Sequence, residues 1–557
     1  MNKLTRLMIL MFVVVMATIT YAQNEEADHG ITKDELINLS AYVASDVDVF
    51  FTIRTGDDYI EKLADFSATA GAHWDIPINH AMIQQTFYSV FSGPFYGSPT
   101  GVSAWLGDRA AVAIPTLEVL TNSRDIPIPP IVISITDQAA ADEYVNHSYN
   151  NTTRANVNAE RTARDDGIIS YQVTDWDDNY FIQITEDVLI ISSEFDYLGT
   201  LSDSTLNNFN TFNALLGQLP ADGYDLIAYI EPSSLIEAIE DAAYGSSPYY
   251  DEYRMNINDF DLTPMIFGVN IYHNRAFTFD AVAENATDYV PAPLDREMIR
   301  FVPSNALFVW HISGLGQSIH QFNQAFPEMI GQFEALGASM GEEAPFDLNH
   351  IVTFLDLMFK GTTGVRAEEL ADGLESDWLF YLSSVGNTFN FLNIIRSSDT
   401  DITNPAVDYA RGALLDVFAG TREEDGVVKM NVPVNPVFGD QEIWFGTQDD
   451  LIVIGTEYDF KYEPRADMVT MNTRGHYNYV ATFFLPDVSQ LFYLNVGQIR
   501  SLLNVFEQRT RNPQEARDFR EMIELLNGLE SISSTTSTSA DYMIGRFMLT
   551  LTEPTTP

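Results

Sequence analysis

The chain has 557 residues, 46% hydrophobic and 12% aromatic, with 29 Lys+Arg against 79 Asp+Glu and a formal net charge of −50. That length and apolar content suit two or more packed domains and exclude an intrinsically disordered chain, while so negative a surface repels phosphate backbones and excludes nucleic acid as an expected partner. There is no cysteine, which rules out thiol nucleophiles, thiolate metal sites and disulfide staples and leaves stability to core burial.

At the N-terminus, Lys3 and Arg6 precede the apolar run Leu7 to Val15, and Thr20-Tyr-Ala22 places small residues at the −3 and −1 positions of a cleavage site. Residues 1–22 are therefore expected to be a secretory signal peptide cleaved near Ala22. No cysteine follows for lipid attachment, and no later stretch reaches the roughly 18 uninterrupted apolar residues that span a bilayer. The mature chain is expected to be soluble, without a transmembrane segment, and periplasmic or secreted to the extracellular side.

Beyond the leader, Lys33 to Leu39 reads as a short helix and Asp48 to Ile53 as a buried strand. Tyr59, Leu63 and Phe66 recur at helical spacing, and Asn79 is an N-cap for a helix carrying Met82, Ile83, Phe87, Tyr88 and Phe91. After a Gly/Pro loop, Trp105-Leu-Gly-Asp108 leads into the strand Ala110 to Ile114, followed by the strand Ile131 to Ile135. Thr136-Asp137 caps the next helix. Asn146 to Arg164 reads as a polar, mobile connection before Ile168 to Val173 and a hairpin over Tyr180 to Tyr197. Tyr224 to Ile230 is a strand, Ser233 to Ala243 a helix started by Pro232, and Ile266 to Tyr272 and Phe277 to Ala283 are strands. Glu284 to Asp295, with Pro291 and Pro293, reads as a linker.

The order then restarts. Pro303 to Ile312 parallels Ala44 to Ile53, Leu348-Asn-His350 parallels Ile78-Asn-His80, and Thr363-Gly-Val-Arg-Ala367 parallels Thr100-Gly-Val-Ser-Ala104. Leu374-Glu-Ser-Asp377 stands where Leu106-Gly-Asp108 stood, and Gly426-Val-Val428 where Gly167-Ile-Ile169 did. The hairpin recurs without a gap as Ile443 to Phe460, offset by 263 residues. So long a period excludes a solenoid and predicts two tandem homologous halves, 23–290 and 296–552, before a polar tail at 553–557. The second half continues with Tyr479 to Leu485 read as a strand, two helices from Leu494 and Pro513, a Ser/Thr-rich stretch over Ser531 to Ser539, and a final strand Tyr542 to Leu551. Because strands cluster rather than alternate strictly with helices, the expected class is α+β. Each half should be an antiparallel or mixed sheet of hairpins with helices packed on one face.

The leader, the apolar strand with its flanking Asp or Pro, Thr-Gly-Val, Leu-Gly-Asp and the hairpin with its Glu-aromatic-Asp exit together resemble exported bacterial proteins of the uncharacterised family "domain of unknown function 3352". The likeness covers most of the mature chain through short motifs, and Leu374-Glu-Ser-Asp377 departs from the glycine turn kept in Trp105-Leu-Gly-Asp108. It implies export and fold and supplies no catalytic residue.

Candidate chemistry is sparse. Glu194 with Asp196, and Glu457 with Asp459, are carboxylate pairs two residues apart at both hairpin exits, a spacing that would serve acid–base work or glycoside cleavage if the side chains share a strand face. A solvent boundary or helix cap is the structural alternative. Asp175, Asp177, Asn179 and Glu186 supply oxygens at positions 1, 3, 5 and 12 of a calcium loop, yet Tyr180 stands at position six where the turn needs glycine. No cofactor is expected, Ca²⁺ being the one alternative. Gly337-Ala-Ser339-Met-Gly341 matches a nucleophile elbow in letters, but a helical pattern precedes it where a strand is required. His80 and His350 occupy equivalent helix starts, and Tyr244, Tyr249, Tyr250 and Tyr253 line a loop suited to a protein or glycan ligand. The expected function is a non-enzymatic binding or envelope-associated role; a hydrolase using the duplicated carboxylates and a calcium-dependent adhesion or matrix module are the alternatives. N-terminal sequencing of the exported chain should read from Gln23, and a mature product still beginning at Met1 would contradict the signal peptide.

Overall fold

Val49-Phe-Phe-Thr-Ile-Arg54 is apolar at successive positions rather than alternate ones, the pattern of a strand covered on both faces, and all six residues are buried. This strand is found in a computed structural model of the chain, which describes residues 31–552 apart from 74–75, 77, 116–127, 153–156, 176–177, 202–203, 232–262, 273–274, 288, 318, 321–359, 361–362, 386–387, 418–419, 425–426, 434–439, 457–469 and 474.

The described strands begin with β1 (Val49–Arg54), β2 (Leu106–Ile114), β3 (Ile131–Ile135), β4 (Val157–Ala163) and β5 (Ile169–Asp175). Then come β6 (Asp178–Ile184), β7 (Val188–Ser192), β8 (Leu226–Ile230), β9 (Met265–Tyr272) and β10 (Ala276–Glu284). The later part supplies β11 (Ala306–Ile312), β12 (Trp378–Val385), β13 (Thr388–Arg396), β14 (Arg422–Glu424) and β15 (Val427–Pro433). It ends with β16 (Asp440–Gln448), β17 (Leu451–Gly455), β18 (Gln490–Asn495), β19 (Leu529–Thr538) and β20 (Tyr542–Leu551). With the helices between them, these make the chain α+β.

The described chain falls into two compact units. One joins Met1–Asp288 with Asn527–Glu530 and Ser539–Pro557; the other joins Tyr289–Leu526 with Ser531–Thr538. The last strand, read from the sequence as part of 296–552, thus belongs to the first unit.

In the first unit β1 lies between β2 and β8, antiparallel to both. From β2 the antiparallel pairing continues through β3, β7, β6, β5 and β4. From β8 it continues through β9, β10 and β20. In the second unit β11 lies between β12 and β18. Pairing runs outward from β12 through β13, β17, β16, β15 and β14, and from β18 to β19. Strands β11 to β19 therefore pair in the same order as β1 to β9. The two hairpins also share their register: Phe181 faces Ser192 and Ile182 faces Ile191, just as Trp444 faces Gly455 and Phe445 faces Ile454.

Helices pack against both faces of the first unit's sheet, which corrects the expectation of one face. Phe51 and Ile53 join Tyr59, Leu63 and Phe66 of the helix Asp57–His73 and Tyr88 and Phe91 of the helix His80–Ser92 in one core. Phe50 on the opposite face joins Leu36, Ile37 and the helix Asn210–Gln218 through Phe212, Leu215 and Leu216. Two expected caps are present: the Asn79 side chain accepts from the Met82 amide, and that of Asp137 from the Ala139 and Ala140 amides. Trp105, fully buried, sets the loop before β2 against the helix Gln138–Asn150, its ring centroid 6.0 Å from Phe95 and 5.5 Å from Tyr144.

Other local expectations change for physical reasons. Tyr479 to Leu485 is not a strand: the helix Gly475–Ala481 occupies its start, burying Tyr477 and Val480 three residues apart, and β18 takes the sheet position. Aromatic β propensity had suggested a strand where helical burial prevails. Ser531 to Ser539 is mostly strand β19, with Ser531, Ser533 and Thr535 on its buried side. The polar connection Asn146 to Arg164 contains the end of the helix Gln138–Asn150 and the exposed strand β4. Among the described residues no helix is long and apolar enough to cross a membrane. Trp105→Ala should cost about 3–5 kcal/mol in chemical denaturation; a loss under about 1 kcal/mol would contradict its place in the core.

Candidate functional site

The hairpin exit that holds the candidate carboxylates lies beyond the end of β7. Glu194 is exposed, and its Oε2 accepts from the Thr200 hydroxyl at 3.0 Å. Asp196 Oδ1 accepts from Arg164 Nη1 at 2.8 Å and from Gln183 Nε2 at 3.1 Å. Phe195 between them is 69% exposed and packs edge-on against Phe181. The Arg164 bond is the main cause that holds the Asp196 carboxyl below the usual carboxylate range, with Gln183 adding to it. A carboxyl held ionised by an arginine is a poor proton donor near neutral pH. The exit ties β4, β6 and β7 to the short helix Tyr197–Thr200. Its counterparts Glu457 and Asp459 lie outside the described residues.

The residues read as a calcium loop are divided by a strand. Asp175 ends β5 and faces Asp178, while Asn179 is the second residue of β6. Glu186 sits in the hairpin turn at the other end of β6, roughly 20 Å of extended chain away. The structure therefore does not bring Glu186 together with Asp175 and Asn179; Asp177 lies outside the described residues. Asp175 instead accepts from the Tyr96 hydroxyl. Nearby, the Tyr149 and Tyr180 hydroxyls lie 2.9 Å apart, each 3.1 Å from the Pro94 carbonyl. Burial is the largest cause raising both phenols far above their ordinary range, so they remain neutral. His80 stands exposed at the first position of its helix. Ser339, His350 and the loop Tyr244 to Tyr253 lie outside the described residues. Among the described residues no group of three or more His, Asp or Glu side chains could hold a metal ion.

Buried charge lies elsewhere, at the strand ends beside β1. Asp225, fully buried just before β8, receives Lys62 Nζ at 2.7 and 3.0 Å, Arg54 Nη1 at 3.3 Å and the Ile271 amide at 2.8 Å. Arg54 also binds Asp58, the second residue of the helix Asp57–His73. Asn270 continues the network, accepting from the Asp225 amide at 3.2 Å and donating to the Gly223 carbonyl and the Tyr272 hydroxyl. One residue back along the chain, Tyr224 donates to Asp280 Oδ2 at 2.6 Å. Asp280, fully buried in β10, is gripped by Arg546 of β20 through Nε at 2.6 Å and Nη2 at 2.7 Å. Burial opposes the Arg546 charge, but the bond to Asp280 overrides it and holds the guanidinium more firmly protonated than usual. Burial first, then the Asp280 carboxylate, raises Tyr224 well above the phenol range and keeps it a neutral donor.

The second unit gathers a different set around β11. His311, 1% exposed, faces Asp377 with Nε2 at 3.1 Å from Oδ1. Arg396, at the end of β13, reaches Asp295 at 2.8 Å, Asp450 at 3.4 Å and Asp377 at 3.6 Å. Asp450 is a turn residue of the second hairpin, and its carbonyl accepts from the Ser397 amide at 2.6 Å. In the first unit the Asp187 carbonyl accepts from the Ile135 amide at 2.9 Å. Both hairpin turns are thus pinned by backbone to the end of the neighbouring strand, β3 or β13.

These side chains were not singled out from sequence, although a signal exists. Asp280 interrupts Phe277-Thr-Phe-Asp-Ala-Val, Arg546 interrupts Met543-Ile-Gly-Arg-Phe-Met, and His311 interrupts Phe308-Val-Trp-His-Ile. A charge inside an apolar strand run signals a buried partner. The partner's identity is not local: Asp280 and Arg546 are 266 residues apart. Chemically, Asp225 and Asp280 accept bonds from cations, amides and hydroxyls on all sides, so they clamp strands rather than take up a substrate.

Comparison with protein-family models, curated proteins and solved structures finds no match.

The Asp196 contribution to stability has a definite sign. A carboxyl depressed in the fold stabilises above its unfolded value, about 3.9, and loses that contribution as pH falls through the lower folded value. NMR titration should place Asp196 below the ordinary range in the wild type and move it up toward about 3.9 in Arg164→Met; an unchanged Asp196 titration would contradict the assignment of Arg164 as the main cause.

Proposed function

We propose that the chain is an exported protein of the periplasm or extracellular side, built from two tandem homologous halves, and that it acts by binding, in or near the cell envelope, rather than by catalysis. The observation that carries the non-enzymatic reading is the employment of the candidate carboxylates: Glu194 and Asp196 are bonded to Thr200, Arg164 and Gln183 around a hairpin exit. The shared pairing order of β1–β9 and β11–β19, and the shared register of the two hairpins, support the duplication. Export rests on the leader sequence Lys3 to Ala22. The resemblance to the domain of unknown function 3352 agrees with both and adds no activity. A large acidic surface without cysteine suits a ligand that is neutral or cationic, a glycan or a protein segment.

The test is a thermal-shift and product assay of the mature chain with peptidoglycan fragments, neutral oligosaccharides and basic peptides. The expected outcome is a raised midpoint with at least one of these and no covalent product by mass spectrometry. Turnover of any probe would contradict the non-enzymatic reading, and no shift with any would contradict the binding role.

A further inference from the structure

In the first unit's sheet, β10 is covered by β20, the last of the described strands. Ala276 to Glu284 of β10 pair residue for residue with Thr550 to Tyr542 of β20. Met548 and Leu551 are 2% exposed and Thr550 is fully buried in this arrangement. Leu549 and Leu551 pack in the core that also holds Phe51, Tyr59 and Trp105, while Tyr542 and Ile544 pack on the core of the opposite face. Arg546 donates twice to the buried Asp280 carboxylate, through Nε and Nη2. At the far end of β20, the Thr552 amide donates to the Gly528 carbonyl at 2.8 Å, and the Thr552 carbonyl lies 3.3 Å from His73 Nε2 at the end of the helix Asp57–His73.

Without β20 the first unit would keep an open nine-residue edge, an exposed core margin on both faces and a carboxylate at Asp280 lacking its cation. An unpaired apolar edge is a template for unwanted pairing, and an uncompensated buried charge opposes the closed state. The strands β8, β9 and β10 are near neighbours in sequence, whereas β20 joins them only by closing a loop of 266 residues. Contacts of such long range form late. We propose that β20 is a closing strand: residues 542–551 dock last, and the first unit remains incomplete until those residues have been made and delivered. For an exported chain this keeps the N-terminal unit from sealing while the C-terminal part is still in transit, a consequence that rests on the export reading; the docking order itself does not.

The experiment is refolding of the full-length chain from denaturant with pulsed amide hydrogen exchange read by mass spectrometry. The expected result is that β10 gains its protection in the same kinetic phase as β20 and after β1 and β2. Full protection of β10 in a phase before β20 would overturn the proposal. A second readout uses native-state exchange of full-length Arg546→Met. Amides of β10 and β20 should exchange about tenfold faster or more, with β11–β18 unchanged. Unchanged β10 rates, or an equal acceleration of β11–β18, would also overturn it.

Discussion

A buried, two-pronged ion pair between Asp280 and Arg546 is the constraint on which the closure of the first unit depends. Moving both charges out of water is costly, and an excellent geometry with further hydrogen bonds is needed to offset it. That condition is met: two guanidinium donors at 2.6 and 2.7 Å and the Tyr224 hydroxyl at 2.6 Å satisfy the carboxylate. Such a pair adds little stability relative to well-packed apolar residues, but it is unforgiving of mispairing. A shift of β20 by one residue would turn Arg546 to the other face of the sheet and leave Asp280 buried without a cation. The pair therefore sets register for a strand that arrives from the far end of the chain.

The two units show how one strand order tolerates different polar chemistry. At the second-last position but one of β1, Thr52 faces Ala111 and Ile227 and donates to the Leu36 and Ala110 carbonyls. The corresponding place in β11 holds His311, which faces Leu379 and Leu491 and turns to Asp377. In the first unit the clamp beside the central strand is Arg54 and Lys62 on Asp225; in the second it is Arg396 drawing in Asp295, Asp377 and Asp450. In both units the hairpin's turn carbonyl is bonded to the end of the adjacent strand, and its apolar strands fill the interior of the sheet. The described exit carboxylates are occupied by structural partners.

Much of this architecture was legible locally. The caps Asn79 and Asp137, the core positions Tyr59, Leu63 and Phe66, and the hairpin boundaries follow from periodicity and turn chemistry. Where the expectation failed, a long-range or two-sided effect had intervened. Continuous burial of β1 reflects helices on both faces, which the apolar run Val49 to Ile53 implied but the one-face expectation ignored. Ser531, Ser533 and Thr535 lie in a stretch read only by its Ser/Thr composition, and alternate burial in β19 makes them sheet. Tyr477 and Val480 are spaced for a helix within an aromatic run that suggested a strand. The calcium-like pattern at Asp175 to Glu186 lacks the glycine turn at Tyr180, and the strand β6 separates its ends. The buried charges were visible as interruptions in apolar runs, but which acid meets which base depends on a sheet assembled across hundreds of residues.

The most direct measurement is a double-mutant cycle on Asp280 and Arg546 in the full-length chain, read by chemical denaturation. Each single substitution, Asp280→Asn or Arg546→Met, is predicted to cost about 3–5 kcal/mol. The double variant should recover part of that, giving a coupling of about 1.5 kcal/mol or more. Single losses that simply add, within about 0.5 kcal/mol, would contradict the role of this pair as the lock that holds the last strand in the first unit.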